Sequence, residues 1–140
     1  TKDVSGNTIH TLSISVPGTV RGIDNVSGAT VNIFKNKIYD LSTSSSSATA
    51  LVEGIRVTSG ANVRLYNNFI GNLAATATTN ADGVKGIMNL AATSSSIGIY
   101  FNTIYLTGTS TGTGFGNTGI YHTTSATATS GALDMRNNIV

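Results

Sequence analysis

The sequence predicts an all-β fold, a right-handed parallel β-helix (a solenoid) of about four coils, and three observations carry that reading. The phrase V-N-I-F-K-N-K-I-Y-D-L from Val31 to Leu41 returns as V-R-L-Y-N-N-F-I-G-N-L from Val63 and as I-G-I-Y-F-N-T-I-Y-L-T from Ile97. Partial copies flank these: L-D-M-R-N-N-I-V starts at Leu133, and Val4, Asn7, Ile9 and Leu12 match Ile33, Asn36, Ile38 and Leu41. A second marker, G-I, recurs at Gly22, Gly54, Gly86 and Gly119, with steps of 32, 32 and 33 residues. Finally, apolar residues alternate with polar ones and are mostly Val and Ile, which favours strands over helices. No segment combines a 3.6-residue apolar period with helix caps.

Each unit then holds a G-I-x strand, a bend, a V-x-I strand, an Asn turn, an I-x-x-L strand and a loop. Strands of successive coils run parallel about 4.8 Å apart. Their inward side chains should pile into columns, among them Val31/Val63/Ile97/Leu133, Ile33/Leu65/Ile99/Met135, Ile9/Ile38/Ile70/Ile104/Val140 and Ile23/Ile55/Ile87/Ile120. The right hand follows from the general preference of parallel crossovers. Asn7, Asn36, Asn68, Asn102 and Asn138 recur at steps of 29, 32, 34 and 36 and should form an internal ladder of amides bonded from coil to coil. Asparagine is expected there because it tolerates a left-handed turn, and the glycines of G-I are expected to mark a second tight bend.

Loops absorb the differences in repeat length. From each G-I glycine to the next V-x-I strand the steps are 9, 9, 11 and 14 residues, so growth is concentrated on one corner. The remaining loops, S-T-S-S-S-S-A-T-A from Ser42 and A-A-T-A-T-T-N-A-D-G from Ala74, are Ser-, Thr- and Ala-rich and are expected to bury little.

Composition narrows the function. Charged residues are 10% of the chain, the net charge is +2, and the basic residues never cluster, which argues against nucleic acid as a partner. No apolar run approaches the roughly 18 residues of a membrane span, so no membrane insertion is expected. There is no cysteine and hence no disulfide framework. The run of repeats covers residues 1–140 and is expected to be incomplete at both ends, with further coils or domains of a longer chain as its first partners.

Each candidate site has a plain structural reading beside a functional one. An enzyme on such a scaffold would bring carboxylates together at equivalent positions of neighbouring coils. Instead Asp40 aligns with Asn72 and Leu106, Asp24 with Arg56, Met88 and Tyr121, and Asp134 with Asn32, Arg64 and Gly98. No catalytic residue, metal site or cofactor is therefore expected. Arg21, Glu53 and Lys85 alternate in sign along one column and read as exposed ion pairs that favour register. His122 has no second ligand at a metal-binding spacing. Phe34, Tyr66 and Tyr100 share an outward column that ends at Arg136. It reads either as cross-coil stacking or as a surface for sugar rings or a protein partner. Thr-rich tracts raise ice binding, but they fall in loops of unequal length instead of on one strand column.

The combination V-x-I-x-x-N-x-I with G-I-x-x resembles the pectin-lyase-like superfamily of right-handed parallel β-helices. The phrases I-Y-F-N-T-I-Y-L-T-G-T-S, G-I-Y-H-T-T-S-A-T-A-T-S and L-D-M-R-N-N-I-V look like the large secreted surface proteins of Bacteroidota-type bacteria. That resemblance implies an extracellular or cell-surface location, export by type IX secretion, and a structural or adhesin-like role. It also implies extracellular glycans or cell-surface and secretion proteins as partners. The alternative is the inert coils of a polysaccharide-degrading or carbohydrate-binding β-helix protein.

Overall fold

The computed structural model describes residues 1–91, 95–123 and 132–140. The chain climbs through stacked coils, each contributing one strand to each of three parallel sheets. The first coil is β1 (Lys2–Ser5), β2 (Thr8–Ile14) and β3 (Thr19–Asn25); the second is β4 (Thr30–Phe34), β5 (Lys37–Thr43) and β6 (Leu51–Val57). The third is β7 (Asn62–Tyr66), β8 (Phe69–Ala75) and β9 (Val84–Asn89), and the fourth is β10 (Ser96–Tyr100), β11 (Thr103–Tyr105) and β12 (Asn117–His122). Last comes β13 (Ala132–Arg136), and Ile139 bridges onto Thr103 beyond it. The first sheet runs β1-β4-β7-β10-β13, the second β2-β5-β8-β11 and the third β3-β6-β9-β12. Among the described residues there is no helix.

The register is the one the repeats dictate. Val31, Val63, Ile97 and Leu133 pair in one row, as do Ile33, Leu65, Ile99 and Met135. Ile9, Ile38, Ile70 and Ile104 form the row of the second sheet, and Ile23, Ile55, Ile87 and Ile120 that of the third. Inside the second and third coils these aliphatic side chains are closed to solvent and make one continuous core. Burying each contributes roughly 1.5–3 kcal/mol, so the core holds the three sheets together without help from disulfides.

The turns correct the expected role of asparagine. The left-handed residue is the one before each ladder position: Gly6, Lys35, Asn67, Phe101 and Asn137, with φ between 54° and 69°. The ladder asparagines themselves turn inward, and Asn36, Asn68 and Asn102 are buried. A second left-handed column, Thr11, Asp40 and Asn72, lies inside the second sheet, where inward positions skip from Ile38 to Leu41 and from Ile70 to Leu73. Leu106 takes that place in the fourth coil, and a leucine pays a steric penalty in that conformation. There the strand is only three residues long and stops at Tyr105.

The G-I glycines also differ from expectation. Gly22, Gly54 and Gly86 lie inside strands, without a left-handed φ. A Cβ on Gly54 would lie 2.5 Å from the Gly86 carbonyl oxygen and 2.7 Å from Ile70 Cγ2, and the other two repeat this geometry. What these positions require is close approach of backbone to backbone. The strand does bend there, since Val52 and Ile55 both face inward three residues apart.

Candidate functional site

The ladder is the most completely organised polar feature of the molecule. Asn68 donates one amide hydrogen to Asn102 Oδ1 at 2.9 Å and the other to the Ile33 carbonyl at 2.9 Å. Its own Oδ1 accepts from the backbone N–H and the Nδ2 of Asn36, at 3.1 and 3.0 Å. Asn36 and Asn102 repeat this pattern, and Asn7 and Asn138 extend it at either end. Every donor and acceptor of the Asn68 amide is used, which is why a buried amide is tolerated in an aliphatic interior. The arrangement leaves nothing for a ligand and is structural.

The charged row on the third sheet is less exposed than the sequence suggests. Glu53 is only 2% exposed and Lys85 5%. Arg21 Nε donates to Glu53 Oε2 at 2.6 Å, and Arg21 and Arg56 both lie within 4 Å of Asp24. Lys85 Nζ donates to the Asp82 carbonyl at 2.6 Å and sits 5.7 Å from the Tyr121 ring centre. Loss of water around Lys85 pulls its pKa below the usual lysine value, while Asp82 and Glu53 act in the opposite direction. Glu53 thus stands between Arg21 and Lys85 in its row, with no acid above or below it. Its register neighbours neutralise it, so they do not form a carboxylate pair for acid–base chemistry.

The low-complexity loops bury polar side chains of their own, against the expectation that they bury little. Thr78 is closed to solvent, and its hydroxyl donates to the Ser47 carbonyl at 3.0 Å. Asn80 Nδ2 donates to the Ala48 carbonyl, and Ser110 Oγ donates to the Thr78 carbonyl. Loops of successive coils therefore stack through Ser, Thr and Asn side chains, much as the strands stack through aliphatic ones. The tracts A-A-T-S-S-S and H-T-T-S-A-T-A-T-S-G-A fall mostly at positions 92–94 and 124–131, outside the described residues.

Phe34, Tyr66 and Tyr100 do share one row of the first sheet. Phe34 and Tyr66 stack with centroids 4.8 Å apart and planes 4° off parallel. Tyr100 leaves the stack: its ring lies across Gly98, its hydroxyl donates to Asp134 Oδ2 at 3.2 Å, and Arg136 covers its face at 5.4 Å. A hydrogen bond from Arg136 holds the Asp134 carboxyl below the ordinary range, against its desolvation. All three rings are half-buried and engaged within the molecule.

Sequence reasoning missed a second set of rings, on the second sheet. His10 and Tyr39 stack with centroids 5.1 Å apart and planes 8° off parallel, and Lys37 Nζ lies 4.9 Å over Tyr39. The available signal was register: the alignment of Ile9 with Ile38 already puts His10 beside Tyr39. His122 meets Asn89 through Nδ1 at 2.8 Å, and among the described residues no group of three His, Cys, Asp or Glu side chains could hold a metal ion.

No family of known sequences, no curated protein and no solved structure matches this chain.

Proposed function

We propose that the chain is a non-catalytic segment of a large extracellular structural or adhesin-like protein, a rigid β-solenoid rod. The observation that carries this reading is the register of the buried charges: Glu53 lies between Arg21 and Lys85, and among the described residues no row stacks one carboxylate on another. The coil-to-coil amide ladder and stacked loops support it, because they stiffen a rod along its whole length. The finer assignment rests on sequence resemblance: a pectin-lyase-like repeat of a Bacteroidota-type surface protein, displayed at the cell surface after type IX secretion. Its partners are then further coils of its own chain and extracellular glycans or surface proteins.

A second reading has one observation in its favour. Arg21, Asp24, Glu53, Arg56 and Lys85 gather on one face of the third sheet. Such a face could be the flank of a polysaccharide-degrading site completed by other coils. The two readings separate on turnover. The chain, and separately the longest natural protein that contains it, is incubated with acidic and neutral polysaccharides and assayed for new reducing ends and unsaturated products. The rod reading expects none from either, turnover by the chain alone overturns it, and turnover by the longer protein alone makes this segment an enzyme's scaffold.

A further inference from the structure

The geometry points to the outer face of the second sheet as a binding rail for an extended neutral polysaccharide, which rests on the extracellular rod reading and gives it an adhesive face. Two outward rows lie side by side there, Thr8/Lys37/Phe69/Thr103 and His10/Tyr39/Gly71/Tyr105. The second row would be interrupted at Gly71, but the Phe69 ring leans across, with Cε1 and Cζ 3.2 Å from where a Gly71 Cβ would be. The result is one ring per coil: His10, Tyr39, Phe69 and Tyr105, repeating at about 4.8 Å along the rod. Two of these rings are open, Phe69 at 40% exposed and Tyr105 at 62%, whereas Tyr39 is half-buried, stacked on His10 with Lys37 Nζ over it. Beside them run the exposed left-handed residues Asp40 and Asn72, with Asn72 Nδ2 donating to Asp40 Oδ1. Among the described residues Asp40 Oδ2 and Asn72 Oδ1 have no hydrogen-bond partner, so two acceptors flank the ring line.

Exposed apolar rings with a few fixed polar groups beside them suit a ligand that is itself apolar on its faces and hydroxylated at its edges. A sugar ring has that form, and only a polymer of sugars repeats it from coil to coil. Other ligands fit less well. A protein partner needs about 800 Å² of covered surface on each side, and this strip is two side chains wide. A nucleic-acid strand needs a positively charged groove, and here Lys37 is the only lysine or arginine in either row, with Asp40 following Tyr39. The Asp40 carboxylate also disfavours a polyuronate.

The test is affinity electrophoresis of the folded chain in native gels containing xyloglucan, mixed-linkage β-glucan or polygalacturonate. Retardation by a neutral glucan is expected, weakened at least about tenfold by Phe69→Ala/Tyr105→Ala, since both rings are solvent-facing. Tyr66→Ala/Tyr100→Ala should leave it unchanged, and circular dichroism should show both double variants folded. Equal binding by the Phe69/Tyr105 variant, loss confined to the Tyr66/Tyr100 variant, stronger retardation by polygalacturonate, or no retardation in any gel would each overturn the rail. None of these touches the rod reading, which fails only on turnover.

Discussion

Asn102 Oδ1 accepts two hydrogen bonds from the same residue of the coil below, one from Asn68 Nδ2 at 2.9 Å and one from the Asn68 backbone N–H at 3.1 Å. One buried oxygen therefore joins turn to turn and also ends the polar chain of the strand before it. Asn68→Ala removes the Nδ2 donor to Asn102 and leaves the Ile33 carbonyl and the Asn36 donors without partners. The expected loss is about 1–3 kcal/mol for each unsatisfied buried group, less whatever water can recover. Asn68→Asp should be at least as harmful, because a carboxylate cannot donate to Ile33 O or Asn102 Oδ1. Urea melts of both variants check this, and a loss below 1 kcal/mol in both would mean the ladder is incidental.

The glycine stack makes an independent prediction about space. Gly54→Ala places a methyl within 2.5 Å of the Gly86 carbonyl and 2.7 Å of Ile70 Cγ2. Backbone on one side and a packed core residue on the other leave nowhere to shift, so overpacking should cost about 1–3 kcal/mol or more. Gly114→Ala is the contrasting case: its Cβ would meet only the Thr79 carbonyl, at 3.9 Å, and its cost is conformational alone, because its φ is 79°. Thermal melts should place Gly54→Ala below Gly114→Ala. The reverse order would contradict the close-approach account.

Much of this architecture was legible in the sequence, because a solenoid writes its contacts as repetition. The aliphatic rows, the Asn ladder and the pairing of Phe34 with Tyr66 all follow from aligning the copies. Backbone geometry was less legible. Asn67 and Asn68 are adjacent and chemically identical, and the alignment alone does not say that Asn67 makes the left-handed turn while Asn68 faces inward. Lys35 and Phe101 in the same turn position show why: the turn takes whatever residue stands there, whereas the interior accepts only the amide. Glu53 read as exposed because an ion pair on a strand is usually solvated, whereas here it is buried with Arg21 bonded to it. The Phe69–Gly71 relationship was hidden too, because it crosses from one row to the next.

The loop stack can be tested at Thr78. Its buried hydroxyl donates to the Ser47 carbonyl and accepts from the Asn80 backbone N–H. Thr78→Val keeps the shape and removes both bonds, so it should cost about 1–3 kcal/mol. Thr79→Val, one residue along and without such bonds among the described residues, should be close to neutral. Hydrogen exchange should show faster exchange at the Asn80 amide in the Thr78 variant. Equal stability and unchanged exchange would mean that the loops ride on the rod without contributing to it.

The last prediction concerns pH and Lys85. Loss of water lowers its pKa in the folded chain below the ordinary 10.5, and the attraction of Asp82 and Glu53 only partly offsets this. Between the folded value and 10.5, the unfolded chain therefore holds this proton more often than the folded one. Stability carried by this group must rise with pH through that window, since the side binding more protons is favoured at lower pH. Below the folded value the buried ammonium carries its full desolvation cost, and above 10.5 that cost is gone. The wild type alone does not isolate this group. Comparison with Lys85→Met cancels the contributions the two chains share. The unfolding free energy of the wild type minus that of the variant should be level below the folded value and climb from there to pH 10.5. A flat difference would show that water reaches Lys85 freely, and a falling one would show that Glu53 and Asp82 outweigh its burial.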